Sequence, residues 1–116
     1  MFAVIYKGHI YPEAEEKYKK RWNQIATYFI EHRGAIGSCL HKTTDGKWVA
    51  YSRWPDKETR DASWPKEGEE PSKTLTPEIQ AIISDLKNCI DKDLPFEEIC
   101  MEIIDDLLFT KEIPHA

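Results

Sequence analysis

Two side chains suited to proton and charge chemistry lie on either side of an Asp45-Gly46 turn: His41 before it and Arg53 after it. Histidine, with an ordinary pKa of about 6.5, serves as a general base at neutral pH. Arginine stabilises the oxyanion or enolate that proton removal leaves behind. The same sequence is dense in aromatic residues, among them Trp22, Trp48, Trp54, Trp64, Tyr6 and Tyr51. An apolar cavity with aromatic walls and one positive or hydrogen-bonding group inside suits a small molecule on which negative charge develops. His41 and Arg53 are therefore the candidate catalytic residues, and Tyr6, Trp22, Trp48, Trp54 and Trp64 the candidate substrate contacts.

Each assignment has a packing alternative. Trp22 falls on the apolar stripe of a helix, where periodic aromatic residues usually serve the core. Trp48 and Trp54 share one face of a strand and carry the same ambiguity. No periodicity accounts for Trp64, which makes it the preferred pocket residue. His41 and Arg53 equally suit cross-strand or subunit-interface hydrogen bonding. Ser38 has no partners in a Ser-His-acid order, so nucleophilic catalysis is a weak reading.

Other chemistries find less support. Glu97, Glu98, Glu102, Asp105 and Asp106 form an acidic cluster, but carboxylates adjacent in a strand point to opposite faces and do not converge on one ion. A solvated edge or a salt-bridging contact is expected there, and no metal. Cys39, Cys89 and Cys100 are odd in number and lack metal-ligand spacing, which points to buried free thiols. Glycine-rich phosphate loops and dinucleotide fingerprints are absent, so no cofactor is expected. With 21 acidic against 16 basic residues, the net charge of −5 repels phosphate backbones and argues against a nucleic-acid partner. No stretch approaches the roughly 20 apolar residues that span a bilayer, and the first apolar run is too short for a signal-peptide core. No membrane association and a cytoplasmic location are expected.

The elements that must position these residues follow from local pattern. At 116 residues, 41% of them apolar, one folded domain over 1–116 is expected. Residues 2–10 read as a strand, apolar on both faces. Pro12 with Glu13, Glu15 and Glu16 opens a helix whose stripe is Tyr18, Trp22, Ile25, Ala26, Phe29 and Ile30 and which ends at Gly34. Asp45-Gly46 joins two strands into a hairpin. Pro55 and Asp56 start a short helix, followed by a charged loop over 65–73 that is the best candidate for a lid or insertion, a solvated connector being the more frequent case. Thr76-Pro77-Glu78 caps a second long helix with a stripe of Ile79, Ile82, Ile83, Leu86 and Ile90, ended by Leu94-Pro95. Residues 96–109 read as a long last strand. The order βαββαβ implies a ferredoxin-like α+β fold, a four-stranded antiparallel sheet with helices on one face. Two helices cover only one face. Strands that are apolar on both faces would then leave a large wet patch, and a second copy packed sheet to sheet removes it.

The stretches VIYKGHIYPEAEEKY and RWNQIATYFIEHRGAIGSCLHKTTDGKWVAYSRWP resemble the antibiotic biosynthesis monooxygenase family of dimeric α+β barrels, most sharply from Trp22 to Pro55. The resemblance implies a homodimer with a pocket in each subunit between sheet and helices. It also implies a cofactor-independent oxygenase acting on an aromatic or polycyclic small molecule, although the family includes haem-degrading enzymes and members without known activity. Haem-degrading members use an asparagine on the first strand, a tryptophan on the helix after the third strand and a later histidine ligand. Here Tyr6 or Lys7 stands at the first position, Trp64 lies close to the second, and no histidine occurs between His41 and His115. Haem binding therefore ranks below the alternative of a non-catalytic dimeric module for small-molecule binding or structure.

Overall fold

The central strands are those richest in β-branched and aromatic residues, which suit a pleated surface covered by other elements. The computed structural model describes residues 1–63 and 75–108. Strands β1 (Phe2–Gly8) and β3 (Trp48–Trp54) lie side by side, flanked by β2 (Gly37–Lys42) and β4 (Glu97–Glu102). The order is β2-β3-β1-β4, and every neighbouring pair is antiparallel. This is the expected ferredoxin-like α+β arrangement.

Register decides what each face carries. Phe2 opposes Trp54, Val4 opposes Ser52 and Tyr6 opposes Ala50, so these residues share one face. Ala3, Ile5, Val49, Tyr51 and Arg53 take the other. Helices α1 (Glu15–His32) and α3 (Pro77–Lys87) cover the first face. The core there joins Phe2, Val4 and Trp54 to Ile25 and Phe29 of α1 and to Ile79 and Ile83 of α3. On the opposite face Ala3 and Arg53 are buried, whereas Ile5, Val49 and Tyr51 are half-buried and Ile99 is exposed.

Local signals place the connections. Pro12–Ala14 forms a single 3-10 turn that leads into α1, and Gly34 beyond the helix takes φ +83°, which favours glycine. Gly46 of the hairpin sits at φ +90°. The helix after Pro55, α2 (Lys57–Ser63), is capped by Asp56, whose Oδ1 accepts from the Thr59 N–H at 2.7 Å. Thr76 caps α3 through its Oγ1, which accepts from the Ile79 N–H at 3.3 Å.

Three expectations need correction. The second long helix stops at Lys87 rather than Leu94: the backbone turns so that Cys89 O accepts from Tyr11 N and Ile90 bridges Ile10. The last strand ends at Glu102. Ile103 N still donates to Met1 O at 2.8 Å, after which the chain leaves the ladder and Asp106 reaches Arg53. Only Cys89 is a buried thiol; Cys39 and Cys100 sit on the two outer strands and are exposed, and all three are free. Trp64 and the loop over 65–73 lie outside the described residues. Among the described residues no helix is long and apolar enough to cross a membrane.

Replacing Thr76 by Ala removes the α3 cap. It is expected to lower unfolding free energy by about 1 kcal/mol, read as a shift in the urea midpoint at unchanged slope.

Candidate functional site

Between the helix-covered sheet face and the two long helices lies a cavity of about 940 Å³. Its apolar wall comes from Trp22, Ile25 and Phe29 of α1, Trp54 of β3, and Ile83 and Leu86 of α3. At the β1–β4 end the lining turns polar, where Tyr6, Arg60 and Glu98 meet. Phe96 closes that end. Its ring stacks on Tyr6 with centroids 6.1 Å apart, and it occupies the space a Cβ on Gly8 would need, with a ring carbon 2.6 Å from that position.

The polar end is a connected group. Arg60 Nη2 donates to Tyr6 Oη at 2.6 Å and also to Glu98 Oε1, while the Tyr6 hydroxyl donates to the same carboxylate oxygen at 3.2 Å. Arg60 Nη1 approaches Asp61 Oδ1 at 3.4 Å. The Arg60 side chain is 10% exposed against 42% for Glu98, so a buried cation is matched by a carboxylate with a route to water. Burial pushes the Tyr6 hydroxyl well above the usual phenol range; Arg60 pulls it down and Glu98 pushes it back up. Tyr6 is therefore a neutral phenol that donates and accepts. Burial alone would lower the Arg60 pKa, but Tyr6 and Glu98 outweigh it and hold the guanidinium charged.

The expected site residues divide. Tyr6, Trp22 and Trp54 line the cavity. Trp48 instead packs edge-on against Tyr18 at 5.5 Å, beside Cys89, and its Nε1–H donates to Glu15 Oε2 at 3.0 Å. Trp64 lies outside the described residues. Neither expected catalytic residue enters the cavity. His41 is exposed on the uncovered face, with ring Nδ1 3.1 Å from Val49 O. Arg53 is buried on that same face and paired with Asp106; its Nε and Nη1 are buried without a hydrogen-bond partner among the described residues. The reason is strand alternation: Trp54 enters the cavity, so Arg53 beside it must leave the other way.

Sequence pattern does not single out Arg60 or Glu98 as cavity residues. Arg60 sits in a short polar helix with no motif around it, and Glu98 reads as one more member of the acidic edge. Only the register, which places Glu98 opposite Tyr6, brings them together. Among the described residues no group of three or more His, Cys, Asp or Glu side chains is arranged to hold a metal ion. The described cavity lining contains no histidine, cysteine or methionine, so of the usual haem-iron ligand types it offers only tyrosine.

No protein-family model matches the sequence, and no curated protein sequence does either. The fold, by contrast, recurs among solved structures. SnoaB, a cofactor-independent oxygenase from Streptomyces nogalater, superposes with a TM-score of 0.65 at 12% identity, covering 92% of this chain and 96% of its own. Rv0793 from Mycobacterium tuberculosis gives 0.65 at 16% identity, covering 90% and 96%. A structure described as an antibiotic biosynthesis monooxygenase gives 0.65 at 15%, covering 90% and 100%. The chain therefore has the fold of the antibiotic biosynthesis monooxygenases.

Tyr18, elsewhere along the lining, yields a pH test. Burial pushes its hydroxyl from 10.0 up to about 12, with Cys89 adding to the rise. The folded protein keeps this proton after the unfolded chain has lost it. Stability is thus fully present below pH 10 and falls as pH rises toward about 12. The expected loss is roughly 2–3 kcal/mol, and Tyr18→Phe should remove most of it in urea titrations on either side of this window. Tyr6 acts in the same direction and remains in the variant.

Proposed function

We propose that this protein is a cofactor-independent oxygenase of the antibiotic biosynthesis monooxygenase type, acting on a planar aromatic or polycyclic molecule held in the cavity. The observation that carries this reading is the pairing of aromatic walls with a buried, charged guanidinium at one end. Oxygenation without metal or flavin requires the substrate itself to supply electrons, which it does best as an anion. Arg60 is the group suited to stabilise that anion, and Tyr6 offers a neutral hydrogen-bond donor beside it. Trp22 and Trp54 supply stacking surface and keep water out. The fold shared with SnoaB supports the reading without deciding it, since one fold hosts many activities.

A second reading, a binding module without catalysis, is favoured by a specific observation. The described lining holds no histidine, Tyr6 keeps its proton, and Arg60 is already paired.

We further propose that two copies pair through the uncovered sheet face. Ile5, Val49, Tyr51, Ile99 and Met101 give that face its apolar character, and the two orphaned Arg53 donors are what carbonyl or carboxylate groups of a second copy would satisfy.

Oxygen uptake measured with a panel of polycyclic phenols separates the two functional readings. Wild type is expected to consume oxygen with at least one of them, and Arg60→Gln to lower that turnover by about 100-fold. Binding without oxygen uptake would favour the module, and neither binding nor uptake would sink both. Sedimentation at micromolar concentration is expected to show a dimer; a stable monomer would overturn the pairing.

A further inference from the structure

Arg60 and Glu98 differ in one respect that bears on what the cavity selects. A buried guanidinium cannot be left without a counter-charge, since an uncompensated cation in a low-dielectric site is strongly destabilising. In the ligand-free protein Glu98 meets that need. Yet Glu98 stands on the outer strand β4 with its side chain 42% exposed, so release to water costs the carboxylate end of this pair less than the guanidinium end. Turning Glu98 outward replaces its bond to Arg60 with hydration, whereas Arg60, 10% exposed, has no such recourse. Any other carboxylate or phenolate entering from the cavity would keep Arg60 compensated and leave Glu98 solvated.

Building on the cavity reading above, we propose that the ligand of this site is an aromatic anion, a carboxylate or an acidic phenol already ionised, and that Glu98 is a resident competitor for Arg60 that the ligand displaces. The exchange conserves charge at the buried end: one anion leaves the guanidinium as another arrives. A neutral analogue cannot take Glu98's place without leaving the cation unpaired. Tyr6 favours the same ligand class, because its neutral hydroxyl can redirect its proton from Glu98 to the incoming oxygen. Asp61 tempers the local positive charge but is itself held by Lys57 at 2.7 Å, so it does not replace Glu98.

The test is calorimetric titration with a matched pair of probes, anthracene carboxylate and its neutral carboxamide. Glu98→Gln keeps the shape of the side chain and removes its charge. It is expected to tighten carboxylate binding by about tenfold, the scale of one charge-assisted pair, and to leave the carboxamide within about twofold. Arg60→Lys should retain part of the preference for the anion, and Arg60→Met should abolish it. Glu98→Ala should act in the same direction as Glu98→Gln, with thermal melts confirming that each variant is folded. If both probes bind but Glu98→Gln leaves the carboxylate unchanged, or tightens both equally, the competitor role fails while the cavity reading stands. If neither probe binds, the cavity reading fails and this inference falls with it.

Discussion

In the two central strands consecutive side chains must leave opposite faces of the sheet, and most of what this protein presents follows from that constraint. Phe2, Val4 and Trp54 are directed at the helices and build the core, so Ala3 and Arg53 are committed to the other side. Tyr6 falls on the helix-covered parity, which places the one strand-borne hydroxyl joined to Arg60 inside the cavity. Shifting β1 by one residue would exchange the contents of the two faces, moving Tyr6 out and Lys7 in. The packing of α1 and α3 on a single parity holds the register.

Each face also buries one arginine, and both depend on the last part of the chain. Arg60 is matched by Glu98 of β4, and Arg53 by Asp106 of the segment beyond it. The acidic run near the end of the sequence is therefore not one surface feature. Its members are dealt to opposite sides of the sheet, where they compensate cations that other elements have buried. The two sites differ in what remains unsatisfied. Arg53 has two donors without partners among the described residues, on the face the helices leave uncovered, whereas both terminal nitrogens of Arg60 have partners, one of them a carboxylate open to water. One arrangement suits a neighbouring chain; the other suits a small ligand.

The likeness to these solved structures is of a particular kind. At 12–16% identity the fold persists, because many side chains of suitable size satisfy the same packing. Polar residues at a site are not under that constraint and change freely between proteins of one fold. The cavity of this chain therefore has to be understood through its own Tyr6, Arg60 and Glu98.

The sequence by itself determined the order of elements, the caps at Asp56 and Thr76, the turn at Gly46 and most of the stripes of α1 and α3, Ile30 being exposed and Ile90 lying beyond α3, since these depend on residues close together in the chain. It also placed Tyr6, Trp22 and Trp54 where a cavity could use them. Alternation could have separated Arg53 from Trp54 at the same level, because adjacent strand residues cannot share a face. What only the tertiary structure decided was which distant polar groups meet. Glu98 opposes Tyr6 through strand register, Arg60 reaches both from a helix between them in sequence, and Trp48 turns to Tyr18 and Cys89 instead of the cavity. Local pattern sets the direction of a side chain relative to its own backbone. Its partners are set by register and helix packing, which couple residues far apart in the chain.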